Sequence, residues 1–270
     1  MIDFHTHIYP DALAPRAITA TTLRWPFETD AGLEGQLRLM DRYGLRKCAA
    51  LCFGNRPEEQ EKVNQFAIAI NSDRVFAFGS VHPHEPNAVE QIERLYEAGI
   101  RGVKFQPIRQ HFFLEEEACR PVFKHIGELG MLTVFHCGVD MRGDGFDVLP
   151  ASVQRCIDLF DGAPVICAHM GGMFVNPAEL ERLYPLPVYV DTALSARHLG
   201  QYQFDRIAER FGPARILFGT DMPWASMRRE MMYIEHAPFS DEEKEMIFDT
   251  NAERLIASVI RKNTNINAWI

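Results

Sequence analysis

The chain has too little positive charge to attract a polyanion, since 28 Lys and Arg stand against 37 Asp and Glu, for a formal net charge of −9. Non-specific binding to nucleic acid or to an anionic membrane requires a positive field, so this balance argues against both partners. Apolar runs approaching the roughly 18 residues of a membrane span are missing, as are the basic and apolar regions of a signal peptide. We therefore expect a cytoplasmic protein whose partner is a small molecule.

Paired cysteine motifs are also missing. The six cysteines, at positions 48, 52, 119, 137, 156 and 167, form no C-x-x-C pair. Four of them lie in apolar runs, where a free thiol behaves as a small hydrophobic side chain. We expect no disulfide framework, which agrees with a reducing compartment.

Eight short runs rich in apolar or β-branched residues alternate with longer stretches of helical spacing. The runs cover residues 1–4, 48–53, 75–81, 102–105, 132–136, 165–168, 188–191 and 216–218. This alternation predicts a closed parallel barrel, the (β/α)8 or TIM-barrel fold of the α/β class. An open doubly wound sheet is the alternative, but the Gly-rich phosphate-binding turn that normally follows its first strand is absent.

The length and composition fit one large core. Hydrophobic residues make up 47% of the 270 residues, and we expect a single barrel domain over residues 1–260. The C-terminal tail, residues 261–270, is polar until it ends in Ala-Trp-Ile. That apolar end predicts that the tail packs on the barrel or on a second copy, which makes a homodimer the expected assembly.

The first predicted strand leads into an H-x-H motif formed by His5 and His7. Residues i and i+2 of a strand point to the same face, so both imidazoles can reach one metal ion. Imidazole nitrogen is a good ligand for zinc and related metals. A chance pair of histidines at a strand end is the alternative.

Further polar groups follow other predicted strands. They are Lys104 after strand four, His136 after strand five, His169 after strand six and Asp221 after strand eight. In a parallel barrel the carboxyl ends of the strands meet at one mouth, so these groups should converge with the H-x-H motif. Each alone has a structural alternative: a histidine bonded in the core, a Lys104–Asp221 ion pair, or a turn capped by Asp221. Asp191, within a strand, is expected to support a neighbour or to fill a barrel layer.

The loops after these strands supply candidate substrate-binding residues. Arg109 follows strand four, Arg142 lies between glycines after strand five, and Trp224 follows strand eight. Arginine commonly binds carboxylates, so a small carboxylated or aromatic substrate is expected. Arginines that are solvated or paired with the excess acidic residues are the alternative. His82 and His84 also follow a strand, but the neighbouring prolines favour a turn over a metal site.

The motifs FHTH, GVKFQP, FHCG, AHMGG, VDTA, FGTDMPW and NAERL occur in this order along nearly the whole chain. This set resembles the amidohydrolase superfamily, and in particular its amidohydrolase-related branch, which includes aminocarboxymuconate-semialdehyde decarboxylase-like enzymes. The resemblance implies that His5, His7, His136 and Asp221 bind one divalent metal, zinc first, with manganese or iron as alternatives. His169 would act as a base or orient a water, and it is a further ligand in two-metal relatives. Lys104 would be either a carboxylated bridge or a plain cation beside the substrate.

These inferences predict a metal-dependent hydrolase that uses an activated water on a C–N or C–O bond. Asp221 would move the proton, while His169 and Lys104 would stabilise the reacting groups. A non-oxidative decarboxylase on the same barrel is the first alternative, because it would share the ligands. A barrel that binds without catalysis is the second, and the intact set of candidate ligands argues against it.

Overall fold

A computed structural model describes residues 1–19, 27–139 and 143–264, with the side chains of 261–264 excepted. Eight strands follow the predicted order, and all neighbours pair in parallel from β1 to β8. They are β1 Ile2–Thr6, β2 Lys47–Leu51, β3 Val75–Ser80, β4 Gly102–Phe105, β5 Leu132–Phe135, β6 Val165–Cys167, β7 Val188–Asp191 and β8 Ile216–Leu217. The predicted (β/α)8 barrel is confirmed.

Helices connect the strands. They are α1 Ala14–Thr19, α2 Leu33–Tyr43, α3 Gln60–Ile70, α4 Ala88–Glu97, α5 Pro107–Gln110, α6 Cys119–Leu129, α7 Pro150–Cys156, α8 Ser195–His198, α9 Gln201–Phe211, α10 Met227–Glu235, α11 Asp241–Glu245 and α12 Asn251–Thr264. Short 3-10 turns cover Pro57–Glu59, Ile157–Phe160, Pro177–Arg182 and Pro213–Arg215, and a π turn covers Met246–Thr250. The last helix runs past residue 260, where the sequence analysis ended the barrel, and 265–270 lie outside the described residues.

Hydrogen bonds between the first strand and the segment after the last strand close the barrel. Phe4 N donates to Phe218 O at 2.7 Å, and Asp221 N donates to His5 O at 2.8 Å. Further along the same edge, His7 N donates a hydrogen bond to Met222 O at 2.7 Å. This closure places the H-x-H motif directly beside Asp221.

Side chains alternate between the two faces of each strand, so the apolar core has one layer inside the barrel and one between the strands and the helices. Phe4, Phe78 and Val134 belong to the layer inside the barrel, whereas Phe105 and Phe135 pack against the surrounding helices. Helix α12 contributes Leu255 and other apolar residues to the inner layer, where it covers the amino-terminal end of the barrel. Because that end is sealed by apolar packing, the opposite end is left for polar side chains.

Candidate metal centre and active site

His5 is held in one orientation by Asp191. Its Nδ1 lies 2.8 Å from Asp191 Oδ2, and both side chains are fully buried. An ionised carboxylate only accepts hydrogen bonds, so Nδ1 of a neutral His5 carries the hydrogen. The lone pair of Nε2 is therefore free to face the mouth.

His7 and His169 are oriented in the same way by backbone carbonyls. His7 Nδ1 lies 3.1 Å from Leu51 O, and His169 Nδ1 lies 3.0 Å from Ala193 O. A carbonyl oxygen also only accepts, so each Nδ1 donates and each Nε2 presents a lone pair. The sequence predicts neither of these carbonyl partners.

The free nitrogens of the H-x-H motif meet one oxygen of Asp221. Asp221 Oδ1 lies 3.0 Å from His7 Nε2 and 3.6 Å from His5 Nε2. Both His5 Nε2 and Asp221 Oδ1 are buried without a hydrogen-bond donor among the described residues. Acceptors that face one another in this way repel, so a proton or a metal cation held between them would stabilise the arrangement. Two ligands of one tetrahedral metal stand about 3.4 Å apart, which these separations fit.

His136 completes the histidine cluster through His169. His136 Nδ1 lies 3.0 Å from His169 Nε2, and the ring centroids are 4.6 Å apart. The His169 ring is in turn 5.1 Å from the His5 ring. The structure thus brings all five residues named as candidate ligands to one mouth.

A second group of potential ligands is formed by His5, His169 and Asp191. However, Asp191 Oδ2 is engaged by His5 Nδ1, and Asp191 Oδ1 accepts from His169 N at 2.9 Å and from Ala193 N at 3.1 Å. Both oxygens are therefore used to position the histidine segments. Asp191 supports its neighbours and is not a candidate ligand, which is one of the two roles expected from the sequence.

The protonation states at the mouth suit a metal ligand set. Burial lowers the pKa of His169 to about 3 and that of His136 well below its ordinary value. Burial alone would raise the pKa of Asp221, but positive charge on the facing rings of His5 and His7 holds that pKa far below the usual range, and a metal ion bound between these groups would act in the same direction. Neutral imidazoles and an ionised carboxylate are the forms that bind metal ions.

Lys104 extends into the barrel beneath this cluster. Its side chain is fully buried, and Nζ has no hydrogen-bond partner among the described residues. Burial lowers its pKa to about 8, although the charges of Asp191 and Asp221 act in the opposite direction. The Lys104–Asp221 ion pair, which was the structural alternative for Lys104, is not found among the described residues, so Lys104 is a buried cation that lacks a direct partner there.

Two of the candidate ligands have a strained backbone. The φ angles of His169 and Asp221 are +62° and +70°, in the left-handed region. Such conformations cost about 1 kcal/mol or more each and concentrate at functional sites. Asp221 also holds the following turn, but through its carbonyl, which accepts from Trp224 N at 2.9 Å. Its carboxylate therefore remains available, contrary to the turn-cap alternative.

The three candidate substrate-binding residues differ in where they lie relative to the mouth of the barrel. The Trp224 ring lies 4.9 Å from the His7 ring, which places it at the mouth. Arg109 lies on α5 and is half-buried, and its charge acts on the hydroxyl of Tyr9. Arg142 lies outside the described residues.

Sequence reasoning missed Asp3 and Tyr9. Asp3 accepts from Thr220 Oγ1 at 2.6 Å, from Thr220 N at 3.0 Å and from His5 N at 3.1 Å. It thereby links the H-x-H motif to the segment that carries Asp221, and burial raises its pKa to about 7. Tyr9 lies 6.2 Å from Trp224, ring to ring, and burial raises its pKa. The sequence feature that could have identified Asp3 is its position as an acidic residue within an otherwise apolar strand.

His82 and His84 have structural partners. His82 Nε2 lies 2.9 Å from Gln110 O, and His82 Nδ1 accepts from His84 N at 3.3 Å. His84 Nε2 lies 2.5 Å from Glu116 Oε2. Neither histidine belongs to a group of potential ligands among the described residues, so the turn interpretation agrees with the structure.

The comparisons with known proteins identify the family and the fold of the chain. The family model described as Amidohydrolase matches residues 2–257, whereas no curated protein matches the chain. Among solved structures, 5-carboxyvanillate decarboxylase from Sphingomonas paucimobilis has a TM-score of 0.70 at 17% identity, with 94% of this chain and 98% of that chain covered. A dihydroxybenzoic acid decarboxylase from Polaromonas sp. JS666, with bound manganese and 2-nitroresorcinol, has a TM-score of 0.69 at 17% identity, with 94% and 96% covered.

A third similar structure is a Pseudomonas putida protein assigned as a 2-pyrone-4,6-dicarboxylic acid hydrolase. It has a TM-score of 0.69 at 16% identity, with 95% of this chain and 97% of that chain covered. At these identities the three structures establish a shared fold.

None of the helices in the described part of the chain is long and apolar enough to cross a membrane.

Proposed function

Because the chain belongs to the amidohydrolase family, we propose that it is a metal-dependent hydrolase that cleaves a C–N or C–O bond of a small, carboxylated substrate. The observation that carries this proposal is the arrangement of His5, His7 and Asp221. Protein acceptors fix both Nδ1 hydrogens, and both Nε2 lone pairs face one ionised carboxylate oxygen. A divalent cation satisfies all three acceptors together.

The donor set indicates which ions fit. His5, His7 and Asp221 would hold one ion, with His136 and His169 beside it, and nitrogen and oxygen donors suit zinc, manganese or iron. Zinc is our first choice, and the manganese in the similar decarboxylase structure keeps that ion as an alternative. When bound, such an ion acts as a Lewis acid and makes water a nucleophile near neutral pH.

The residues of the chain would share the remaining chemistry. Asp221 is ionised at neutral pH and can take a proton from the attacking water and return it to the leaving group. His169 is neutral and would help to orient the attacking group together with His136, whose Nδ1 lies 3.0 Å from His169 Nε2. The ammonium of Lys104 can stabilise negative charge that develops on a substrate oxygen, because its field is strong in a buried site. Arg109, Arg142 and Trp224 remain our candidates for binding the substrate.

Non-oxidative decarboxylation is the second candidate. Two of the similar structures are named as decarboxylases, and Lys104 supports this reaction because it is a buried proton donor below about pH 8. Loss of carbon dioxide leaves an electron pair on carbon, which must receive a proton. Hydrolysis remains our first choice, because ionised Asp221 is placed to accept a proton and not to donate one.

Two measurements test the proposal. Elemental analysis of the purified protein should find zinc, manganese or iron near one ion per chain, and Asp221→Asn should fold but lose activity. A panel of lactones, amides, esters and aromatic carboxylates, followed by acid release and by carbon dioxide release, separates the two reactions. A protein that takes up no metal during reconstitution, or an Asp221→Asn variant with full activity, would contradict the proposal.

Assembly and location are further proposals. We propose a homodimer, for which the exposed Ile260 on α12 gives support. Light scattering of the full chain and of a chain ending at residue 264 tests it, and a monomer in both would contradict it. The proposed cytoplasmic location and the absence of nucleic-acid and membrane partners rest on the sequence alone.

A further inference from the structure

Asp221 has a backbone conformation that is unfavourable for its residue type. Its φ angle of +70° lies in the left-handed region, which favours glycine. A residue keeps such a conformation only where the surrounding structure holds it there, because it would otherwise relax. The groups that hold Asp221 in the mouth must therefore be found among its neighbours.

The residue before Asp221 is bound twice by Asp3 of β1. Asp3 Oδ2 accepts a hydrogen bond from Thr220 Oγ1 at 2.6 Å, and Asp3 Oδ1 accepts one from Thr220 N at 3.0 Å. Both residues are fully buried, so removal of one partner leaves the other with an unmade bond in the interior. The contact joins residues that are 217 positions apart, and it lies along the edge where the barrel closes.

Thr220 also fixes the residue after Asp221. The single hydrogen of its hydroxyl goes to Asp3, and the same oxygen accepts from Met222 N at 3.1 Å. Asp221 therefore lies between two residues whose backbone N–H groups are both held by the Asp3–Thr220 pair. Its own N–H donates to His5 O at 2.8 Å, which ties the strained residue to the H-x-H motif.

Asp3 acts on the H-x-H motif as well. Asp3 Oδ1, which accepts from Thr220 N, also accepts from His5 N at 3.1 Å. The two chain segments are so close that a Cβ atom on Gly219 would lie only 2.9 Å from His5 Cβ. One buried carboxylate thereby sets the position of His5 relative to Asp221, whose facing atoms, His5 Nε2 and Asp221 Oδ1, are 3.6 Å apart.

We propose that Asp3 and Thr220 form a clamp that positions Asp221 as a metal ligand, without touching the ion themselves. The proposal rests on the metal centre of the function proposed above. The Asp3–Thr220 clamp holds the strained backbone of Asp221 before an ion arrives, so the site does not reorganise when the ion binds. The metal affinity therefore depends on two residues that are not ligands.

Thr220→Val tests the clamp, because valine has nearly the shape of threonine but no hydroxyl. Co²⁺ is a suitable probe for nitrogen and oxygen ligands, and we expect the full-length apoprotein to bind it about tenfold more weakly in this variant. The visible absorption of the bound Co²⁺ should also change, because it reports the geometry of the ligands. Thr220→Ser, which keeps the hydroxyl, should retain the affinity and the spectrum of the wild type.

Thr192→Val is the matched control for a general loss of stability. Thr192 Oγ1 donates to Gly219 O at 2.9 Å and accepts from Gly219 N at 3.0 Å, so this variant also loses two buried hydrogen bonds to the segment after β8. These bonds do not involve the residues on either side of Asp221. We expect Thr192→Val to lower the melting temperature and to leave the Co²⁺ affinity unchanged. Equal losses of affinity in the two valine variants would overturn the proposal, since a loosened barrel would then explain both.

Hydrogen exchange in the chelator-treated protein tests the clamp without a metal ion. The Asp221 N–H, which donates to His5 O, should exchange faster in Thr220→Val than in the wild type. The Ala168 N–H, which donates to Phe135 O between β5 and β6, should exchange at the same rate in both. If the wild type binds no Co²⁺, the function proposed above fails, and the exchange rate of the Asp221 N–H still decides whether the clamp exists. An unchanged rate at that position would overturn the proposal.

Asp3→Asn is a second variant, for use if Thr220→Val does not fold. The amide oxygen of asparagine can still accept from backbone N–H groups, but its NH2 group cannot accept from Thr220 Oγ1. We expect the same loss of Co²⁺ affinity and the same faster exchange at Asp221. Wild-type affinity and exchange in Asp3→Asn would show that other groups hold Asp221 and would overturn the proposal.

Discussion

Asp191 accepts a 2.8 Å hydrogen bond from Nδ1 of His5, and the two residues are 186 positions apart in the chain. The other oxygen of Asp191 accepts from the backbone N of His169. One carboxylate therefore fixes the ring of one candidate ligand and the backbone of another. Partners of this kind commonly change metal affinity almost as strongly as the ligands do.

Asp191→Asn should lower metal affinity about 10–100-fold while the protein remains folded. The amide can keep its oxygen on the backbone N–H groups, but its NH2 would then face His5 Nδ1 and move the hydrogen of His5 to Nε2. Competition with a chelator of known affinity measures the loss, and circular dichroism checks the fold. Asp158→Asn, at an exposed position, is the matched control, and equal affinities in both variants would refute the tautomer argument.

Lys104→Met should stabilise the protein and reduce its activity. The ammonium is buried without a hydrogen-bond partner among the described residues, and a methionine of similar length removes the desolvation cost, about 1–3 kcal/mol. The same change removes the charge proposed to stabilise the reacting oxygen, so kcat/KM should fall about 100-fold. Urea denaturation and steady-state kinetics measure the two effects, with the exposed Lys124→Met as control. A destabilised variant with normal activity would show that Lys104 is structural.

Glu230→Gln should reduce the loss of stability at high pH. Burial raises the pKa of Glu230 from 4.5 to about 8, so the folded protein binds a proton that the unfolded chain has lost. The contribution of this group is complete below about pH 4.5 and disappears as the pH rises toward 8. Melting temperatures from pH 5 to pH 9 should therefore decline less steeply in Glu230→Gln than in the wild type or in the exposed control Glu97→Gln. Parallel declines would mean that Glu230 is ionised in the folded state.

His82→Ala and His84→Ala form a matched pair that tests whether these histidines are ligands. His82 is buried and bonded at both nitrogens, so its loss should cost about 2–3 kcal/mol in the free energy of unfolding. His84 is largely exposed and bonded to Glu116, and its loss should cost less than about 1 kcal/mol. Both variants should keep the metal content of the wild type, and a variant that loses metal would show that the histidine is a ligand.

Much of the fold follows from local sequence patterns. The predicted runs at Gly102–Phe105 and Val188–Asp191 coincide with β4 and β7, because strands buried on both faces are continuous apolar segments. The first strand was predicted to end at residue 4 but continues to Thr6, so His5 lies within it. The register shifts between Asp3 and Thr6. Such irregularities re-aim side chains next to active sites, and apolar periodicity does not reveal them.

The sequence by itself determined that His5, His7, His136, His169 and Asp221 share one mouth, because parallel strands in a barrel present their carboxyl ends together. Only the tertiary structure decided which ring nitrogens face inward, that Asp191 supports His5, and that Glu230 and Trp224 line one cavity. These relationships depend on hydrogen bonds and loop positions that join distant parts of the chain. Sequence periodicity is local, so it can predict the ends of the strands but not the partners that their side chains find there.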